Sequence, residues 1–316
     1  MNANIRVWVL TGDKQDTAEE IAKSCKLINE NMFLLHLCQD EVSAQEKLSN
    51  IMNLYQIQMD EEHIDLEEVF RKIRKKEGKD MSLIIDGYTL TSVLADETLS
   101  KQFFYIAIAA KSVICCRVSP KQKSKVVKLA KRHGRWVTLS IGDGANDVPM
   151  IMEANIGVGI QGKEGTQAVR SSDFSISQFR FLNKLLLDYG RNGYIKISKF
   201  ICYYFYKNIL LALTEFYFAL YNGYSGQIFF ADYLNTMYNA FFTSWPCVAF
   251  IFEKEHNVDL VKRFPILYQA GQLNKYFNIR VFWTYVFYSI IHSAGCFFIP
   301  FLDIFESNLF VFLRIS

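Results

Sequence analysis

Apolar and polar positions alternate in blocks along the first 160 residues. Short apolar runs follow one another, each separated from the next by a stretch in which charged and apolar residues are mixed. Such runs are typical of parallel strands buried on both faces, and the mixed stretches are typical of the helices that cover them. We therefore expect a Rossmann-type parallel α/β sheet. The pattern predicts strands at 5–10, 82–85, 112–116, 136–141 and 156–160, with helices at 15–26, 89–95, 98–109, 121–132 and 148–154.

The hydropathy of the chain rises near residue 197, and Phe, Tyr, Ile and Leu dominate from there onward. Three apolar stretches each have roughly the 20 residues that a bilayer core requires. They lie at 197–221, 229–252 and 281–302. The alternative is a set of buried helices in a soluble protein.

The flanking charges argue against that alternative. Lys and Arg precede the first apolar stretch and separate the second from the third, whereas residues 222–228 carry neither. By the positive-inside rule, residues 1–196 and 253–280 would be cytoplasmic and 222–228 would lie outside. We therefore predict a multi-pass α-helical transmembrane region at 181–316.

Composition and charge narrow the classes of function. The 316 residues allow about two domains, and we predict a cytoplasmic domain at 1–180 before the membrane region. The net charge of +3 gives no reason to expect a nucleic-acid partner. The seven Cys include no CxxC pair, which favours reduced thiols over disulfides or a zinc site. Residues 30–80 form a variable charged region, and we assign no chemistry to 60–79.

The segment Gly142-Asp143-Gly144-Ala145-Asn146-Asp147 carries the strongest chemical signal. It follows a predicted strand and precedes a helix, so two carboxylates lie on a turn where open α/β sheets bind ligands. Carboxylates and an amide oxygen suit Mg²⁺, which also holds phosphate oxygens and water. An ordinary Asp/Asn/Gly turn is the alternative.

Two further strand ends carry charged residues. Thr11-Gly12-Asp13-Lys14 follows the first predicted strand, and Arg117 and Lys123 flank the start of a later helix. The two cations suit phosphate charge, although each alone also fits a solvated helix face. Asp13 alone also fits an acid at a helix N-terminus. Together with the turn at 142–147, these make three strand ends with charged residues. Three such strand ends in one sheet predict a phosphate site that uses Mg²⁺.

Three motifs make a family resemblance specific: TGDK at 11–14, RVSPKQK at 117–123 and GDGANDVPM at 142–150. In them the chain resembles the C-terminal part of P-type ATPases, on the phospholipid-transporting (type IV, flippase) branch. The resemblance covers nearly the whole chain and is weakest at 29–80 and after about residue 303. Asp16 departs from the Glu that usually follows TGDKQ.

The resemblance implies a haloacid-dehalogenase-like phosphorylation domain followed by the α-helical transmembrane region. In such enzymes an Asp of a DKTGT motif attacks the γ-phosphate of ATP and forms an aspartyl phosphate. Asp143 and Asp147 would hold Mg²⁺ together with that nucleophile, and Lys123 would stabilise the phosphoryl group. Asp86 resembles a family position too, or is only the cap of the next helix. The residues implied to contact ATP are Thr11, Gly12, Asp13, Arg117, Lys123, Asn146 and Asp147.

Lys207 and Asn208 interrupt the first predicted span. A Lys roughly 15 Å from the cytoplasmic end of the helix is costly unless it snorkels or lines a wet path. Pairing with a polar group of another helix is the alternative. The same Lys–Asn pair recurs in flippases, which implies a place on the path of the lipid headgroup. We assign no transport role to Glu215, an acid that could pair with a polar neighbour.

The implied function is ATP-driven movement of a phospholipid, with an aminophospholipid expected, from the exoplasmic to the cytoplasmic leaflet. The plasma membrane, Golgi or endosomal membrane would be the location, and a small glycosylated accessory subunit would be a partner. No DKTGT occurs in this sequence, so we interpret the chain as a C-terminal portion and expect no ATP hydrolysis from it in isolation.

Two alternatives stay open. One is an inactive, truncated membrane protein that serves as a binding partner. The other is a cation-pumping P-type ATPase, which would need several clustered acidic and amide ligands. Glu215 and Asp232 are the main acids in the predicted spans, and Lys207 has the wrong charge for such a site.

Overall fold

The computed structural model describes residues 3–38, 44–54, 80–134, 136–162, 165–253 and 258–315. The chain divides into two compact units, one of Ile5–Leu182 and one of Asn183–Ser316 with Asn2–Asn4. The charged segment 60–79 lies outside the described residues.

Among its described residues, the first unit has seven strands that form two sheets, and all their pairings are parallel. One sheet has the order β1-β4-β3-β2 and the other β5-β6-β7. The strands are β1 Val7–Leu10, β2 Phe33–Leu37, β3 Met81–Asp86, β4 Ser112–Cys116, β5 Leu139–Gly142, β6 Ile156–Ile160 and β7 Phe174–Ile176. β3 and β4 are buried along their whole length, which fits the apolar runs at 83–85 and 113–116.

The prediction of one sheet beneath all three motifs is therefore wrong for the described residues. β1 and β4 share a sheet, whereas β5 belongs to the other. The physical reason is that β1 and β5 are both edge strands, and no strand among the described residues pairs with their outer edges.

β2 lies inside the region predicted as variable and charged, where no strand was expected. Its five residues, Phe33–Leu37, pair in register with β3 from Met81 to Ile85. The charged residues around this short apolar run lower the mean hydropathy of the segment, so the run does not stand out in the sequence. Pairing with the fully buried β3 stabilises the strand.

The helices of the first unit cover the sheets. They are α1 Gln15–Ser24, α2 Ala44–Leu54, α3 Gly87–Ala95, α4 Glu97–Ala109, α5 Pro120–Gly134, α6 Val148–Glu153 and α7 Gln167–Arg170, and the short α8 Leu182–Lys184 follows. Asp86 accepts a hydrogen bond from the backbone N–H of Thr89 (3.0 Å) and caps α3. The main core packs Phe103 and Phe104 of α4 against Leu83 and Val113 of the first sheet.

The second unit is helical. Its helices are α9 Arg191–Tyr221, α10 Asp232–Met237, α11 Trp245–Phe252, α12 Val258–Arg263, α13 Gln269–Gln272 and α14 Ile279–Ile315, with π-helical turns at Leu185–Gly190 and Tyr238–Phe242. The first and third predicted spans lie within α9 and α14. Of the described helices, one stretch, Ile279–Leu302, is both long and apolar enough to cross a membrane by length and composition.

The second predicted span, 229–252, is not one regular helix. It is divided into α10, the π-helical turn and α11, with Pro246 at the start of α11. Pro has no backbone N–H to donate, so it is tolerated better in the first turn of a helix than in its interior, where it removes a hydrogen bond.

Candidate functional sites

The turns after β1 and β4 are held side by side by backbone hydrogen bonds. Thr11 N–H donates to Cys115 O (2.9 Å), Arg117 N–H to Asp13 O (2.9 Å) and Val118 N–H to Thr11 O (3.0 Å). The strand pairing thus continues past the strand ends. It brings the TGDK turn next to Arg117, two positions that lie about a hundred residues apart in the sequence.

The TGDK turn has its own internal bonds. The Thr11 hydroxyl donates to Asp13 Oδ2 (2.7 Å) and accepts from Asp13 N–H (3.2 Å). The residue before α1 is Lys14, and its side chain makes no capping bond. Asp13 is exposed, and a Cβ added to Gly12 would meet no atom within 4 Å. The turn therefore leaves open space at the carboxyl edge of β1.

Lys123 and Asp147 form an ion pair across the two sheets of the first unit. Lys123 Nζ lies 2.8 Å from Asp147 Oδ1, and the two side chains are only 12% and 14% exposed. The residues are 24 positions apart, one on α5 and one on the turn after β5. Gly142 makes this approach possible, because a Cβ there would lie 2.3 Å from Asp147 Cβ.

The remaining polar residues of the GDGAND turn, Asp143 and Asn146, are exposed. Asp143 lies beside Gly162, where an added Cβ would come within 3.2 Å of Asp143 Cβ. No group of three His, Cys, Asp or Glu side chains in the described part of the chain could hold a metal ion alone. Mg²⁺ needs fewer protein ligands than that, since it usually takes one or two carboxylates plus phosphate oxygens and waters. Asp143 fits such a role directly, whereas Asp147 is already paired with Lys123.

In the second unit, Lys207 is buried (7% exposed) among neutral partners. Its Nζ donates to Asn239 Oδ1 (3.0 Å) and Thr243 Oγ1 (3.1 Å) and lies 5.5 Å from the Tyr204 ring centroid. No ion pair joins Lys207 to an acidic side chain among the described residues. The pairing across helices that stood as the alternative is therefore present, and it does not balance the positive charge of Lys207.

The irregular second apolar segment supplies these partners. The Tyr238 hydroxyl donates to Lys207 O (2.9 Å), and the Tyr203 hydroxyl donates to Thr243 O (3.1 Å). Sequence reasoning missed Tyr203 and Thr243, because an isolated polar group in an aromatic-rich helix carries no pattern. Asn208 is half-buried and makes none of the hydrogen bonds found around Lys207.

Glu215 accepts a hydrogen bond from Asn235 Nδ2 at 3.1 Å. Asn235 Oδ1 is buried and has no hydrogen-bond partner among the described residues. Glu215 thus has the polar neighbour expected for it.

Known proteins are similar in sequence to this chain over most of its length, including the apolar C-terminal part. Residues 169–311 match the family described as phospholipid-translocating P-type ATPase C-terminal. A phospholipid-transporting ATPase of Schizosaccharomyces pombe is 44% identical over 294 residues, which is 92% of this chain and 22% of that protein. Human phospholipid-transporting ATPase ID is 40% identical over 313 residues, or 95% of this chain and 26% of that protein.

Probable phospholipid-transporting ATPase 4 of Arabidopsis thaliana is 45% identical over 282 residues, which is 87% of this chain and 22% of that protein. The chain thus spans about a quarter of the length of the curated relatives it matches. The matches confirm the resemblance drawn from the three motifs: the chain is homologous over most of its length to the phospholipid-transporting P-type ATPases.

Proposed function

We propose that this chain contributes part of the phosphorylation domain and the adjoining membrane helices of an ATP-driven phospholipid translocase. The observation that carries the proposal is the Lys123–Asp147 ion pair, which joins two of the three motifs at one place. The proposed domain has a haloacid-dehalogenase-like fold, and the proposed reaction proceeds through an aspartyl phosphate. Homology to phospholipid-transporting ATPases supports the class of substrate.

In this proposal another part of the complete protein supplies the nucleophilic Asp. The outer edges of β1 and β5 pair with no described strand, and a strand placed between them would present its carboxyl end between Asp13 and Asp143. Ligands of parallel α/β sheets bind at that edge. Closing the two sheets into one in this way would also bring all three motifs to one sheet.

Each polar residue near that edge then has a proposed role in phosphoryl transfer. Lys123 Nζ would move part of its interaction from Asp147 to the phosphoryl oxygens and stabilise the charge they carry in the transition state. Asp143, with Asp147 close by, would hold Mg²⁺, which neutralises phosphate charge when it is bound. Asn146 would donate from its amide to a phosphoryl oxygen.

The open turn after β1 would receive the nucleotide. Thr11, Gly12 and Asp13 leave space there, and Arg117 lies beside them through the backbone bonds described above. The Arg117 guanidinium would pair with a phosphate of ATP, which is a favourable partner for its planar set of donors.

In the membrane, Lys207 would attract the lipid headgroup. A buried cation with only neutral partners favours an approaching anion, and each phospholipid carries a phosphate. We propose that the helices form part of a multi-pass membrane protein that moves an aminophospholipid from the exoplasmic to the cytoplasmic leaflet. A glycosylated accessory subunit is a proposed partner, and the plasma membrane, Golgi or endosomes are the proposed locations.

The test uses the complete protein reconstituted in vesicles with fluorescent phospholipids. We expect a Mg²⁺- and ATP-dependent phosphoenzyme and movement of lipid toward the leaflet that faces ATP. A phosphoenzyme stimulated by a metal cation, with no lipid movement, would favour a cation pump. The absence of both a phosphoenzyme and lipid movement would favour an inactive binding partner.

A further inference from the structure

The side chain of Gln122 connects two turns at the carboxyl edge of the first sheet. Its Oε1 accepts from Ser119 N–H (2.7 Å), and its Nε2 donates to Gly87 O (2.6 Å) and Thr91 Oγ1 (2.8 Å). An amide has two donor hydrogens, so both are used. The amide orientation is therefore set by all three partners.

One half of this arrangement is a helix cap. Ser119 precedes α5, Pro120 is its first residue, and the Ser119 hydroxyl accepts from Gln122 N–H (3.4 Å) while Gln122 Oε1 accepts from Ser119 N–H. This is the reciprocal pattern of a capping box, with Pro at the position where no N–H is needed. A cap alone would need only Oε1.

The other half connects α5 to α3. Gly87 and Thr91 lie in the first two turns of α3, and the Thr91 hydroxyl also donates to Gly87 O (2.8 Å). Gly87 packs against the backbone of Arg117, since a Cβ at Gly87 would come 2.1 Å from Arg117 O. Arg117 itself has a φ of 51°, a left-handed conformation that is uncommon for a side-chain-bearing residue.

The consequences reach the proposed phosphate site directly. Lys123 is the next residue after Gln122, and its Nζ is the group that pairs with Asp147. Arg117 lies two residues before the cap Ser119, and its backbone packs closely against Gly87. Any rotation of the first turn of α5 would move both cations.

We propose that Gln122 is a positioning residue that locks the turns after β3 and β4 together, and so holds Arg117 and Lys123 in place for phosphoryl transfer. The catalytic part of this inference rests on the proposed function. The coupling between the two turns does not rest on it.

The informative variant is Gln122→Glu in the complete protein. A Glu retains the acceptor that caps α5 but replaces the amide donor with an oxygen that faces Gly87 O and Thr91 Oγ1. Gln167→Glu is the matched control, because it makes the same change of charge at an exposed residue in the first turn of α7. The first measurement is hydrogen–deuterium exchange of peptides covering 87–95 and 117–127.

We expect Gln122→Glu to raise exchange in both peptides and the control to raise it in neither. Exchange that rises only in 117–127, or in neither peptide, would overturn the proposal and leave Gln122 as a helix cap. If Gln122→Glu unfolds the domain as a whole, Thr91→Val decides. It removes one partner of the amide, and it must raise exchange in both peptides if the two turns are coupled.

The second measurement is the rate of phosphoenzyme formation. We expect a fall of about 10-fold to 100-fold at saturating ATP, as for misplaced catalytic groups, with a smaller change in the ATP concentration for half-maximal rate. A change confined to the apparent affinity for ATP would contradict positioning of Lys123. A wild-type protein that forms no phosphoenzyme would refute the proposed function, while the exchange data would still decide on the coupling.

Discussion

At the scale of single residues, the charges of Lys123 and Lys207, both largely removed from solvent, are balanced in different ways. Lys123 pairs with the Asp147 carboxylate at 2.8 Å, whereas Lys207 donates to the neutral oxygens of Asn239 and Thr243. A paired buried charge is costly to leave alone when its partner is removed. An unbalanced one retains its attraction for an anion. The first arrangement suits a group that must be held in position, and the second suits one that must bind a passing ligand.

Removing the Lys123 charge should loosen the first unit around Asp147. We expect Lys123→Met to lower the free energy of local opening of α6 by about 1–3 kcal/mol, because Asp147 is left without its partner. The double variant Lys123→Met with Asp147→Asn should cost less than the sum of the two single changes. Hydrogen exchange over 139–153 measures this, with Lys128→Met on the exposed face of α5 as the control. Additive single effects would mean that the pair contributes nothing.

The proposed metal role of Asp143 makes a sharper prediction. We expect Asp143→Asn to abolish Mg²⁺-dependent phosphoenzyme formation in the complete protein while leaving expression and membrane insertion unchanged. The side chain is exposed, so its loss removes a carboxylate from the turn without opening the core. Radiolabelled ATP over a range of Mg²⁺ concentrations provides the measurement, and Glu20→Gln on the exposed face of α1 is the control. Phosphoenzyme at the wild-type level would exclude Asp143 from the metal site.

At the scale of elements, the starts of α3 and α5 depend on close backbone contact as well as on caps. Asp86 and Ser119 supply the capping side chains, and Gly87 lets the two helix starts approach. In the second unit, polar groups are brought together by an interruption of a helix rather than by a cap and close backbone packing. The π-helical turn at Tyr238–Phe242 interrupts a helix and lets Asn239 and Thr243 face Lys207. π-helical turns are frequent at functional sites because they break the regular spacing of side chains.

The close approach of the starts of α3 and α5 predicts that a methyl group added at Gly87 is destabilising. Gly87→Ala should force Arg117 O and the new Cβ apart and destabilise the first unit by about 1–3 kcal/mol, the usual cost of overpacking. Gly193→Ala, within α9, is the control, because a Cβ there meets nothing within 4 Å. Exchange of the 87–95 and 117–127 peptides provides the measurement. An unchanged pattern in Gly87→Ala would show that the contact relaxes freely.

Replacing Lys207 tests the membrane helices as a pair. We expect Lys207→Ala in the complete protein to impair lipid-stimulated dephosphorylation more than phosphorylation by ATP, because the lost charge lies against the second apolar segment, where we propose that the headgroup binds. Dephosphorylation is measured over a range of lipid concentrations. Lys199→Ala is the control, because it removes a lysine of the same helix that is more exposed than Lys207 and pairs with Glu253. If the maximal rate and the lipid dependence both match the wild type, Lys207 serves only to hold α9 to its neighbour.

At the scale of the whole molecule, a parallel α/β unit precedes a helical unit whose last helix contains an apolar stretch of bilayer length. The distribution of Lys and Arg predicts which segments face the cytoplasm. It predicts one short segment outside, at 222–228, before the chain returns through the second apolar segment.

Labelling with a membrane-impermeant maleimide tests that topology. In a Cys25→Ser background, Ser225→Cys should react in intact cells, whereas Leu273→Cys should react only after permeabilisation. Both positions are exposed, so access depends on the side of the membrane. The background protein without a new Cys is the control. Reaction of Leu273→Cys in intact cells would refute the predicted orientation.

The sequence by itself determined the local features. The apolar runs of β3 and β4, the cap of α3 and the acidic turn after β5 follow from neighbouring residues, whose spacing sets backbone conformation and burial. The three motifs also sufficed for the family resemblance, which the comparisons confirm. The roles given to the site residues stay predictions.

Only the tertiary structure decided which distant groups meet. Lys123 reaches Asp147 and Lys207 reaches Asn239 and Thr243 because sheet order and helix packing place them so, and no local pattern encodes that order. The same holds for the division into two sheets, for β2 and for the interrupted second apolar segment. The physical reason is that periodicity reports which face of an element is apolar, whereas the choice of partner depends on contacts between elements far apart in the chain.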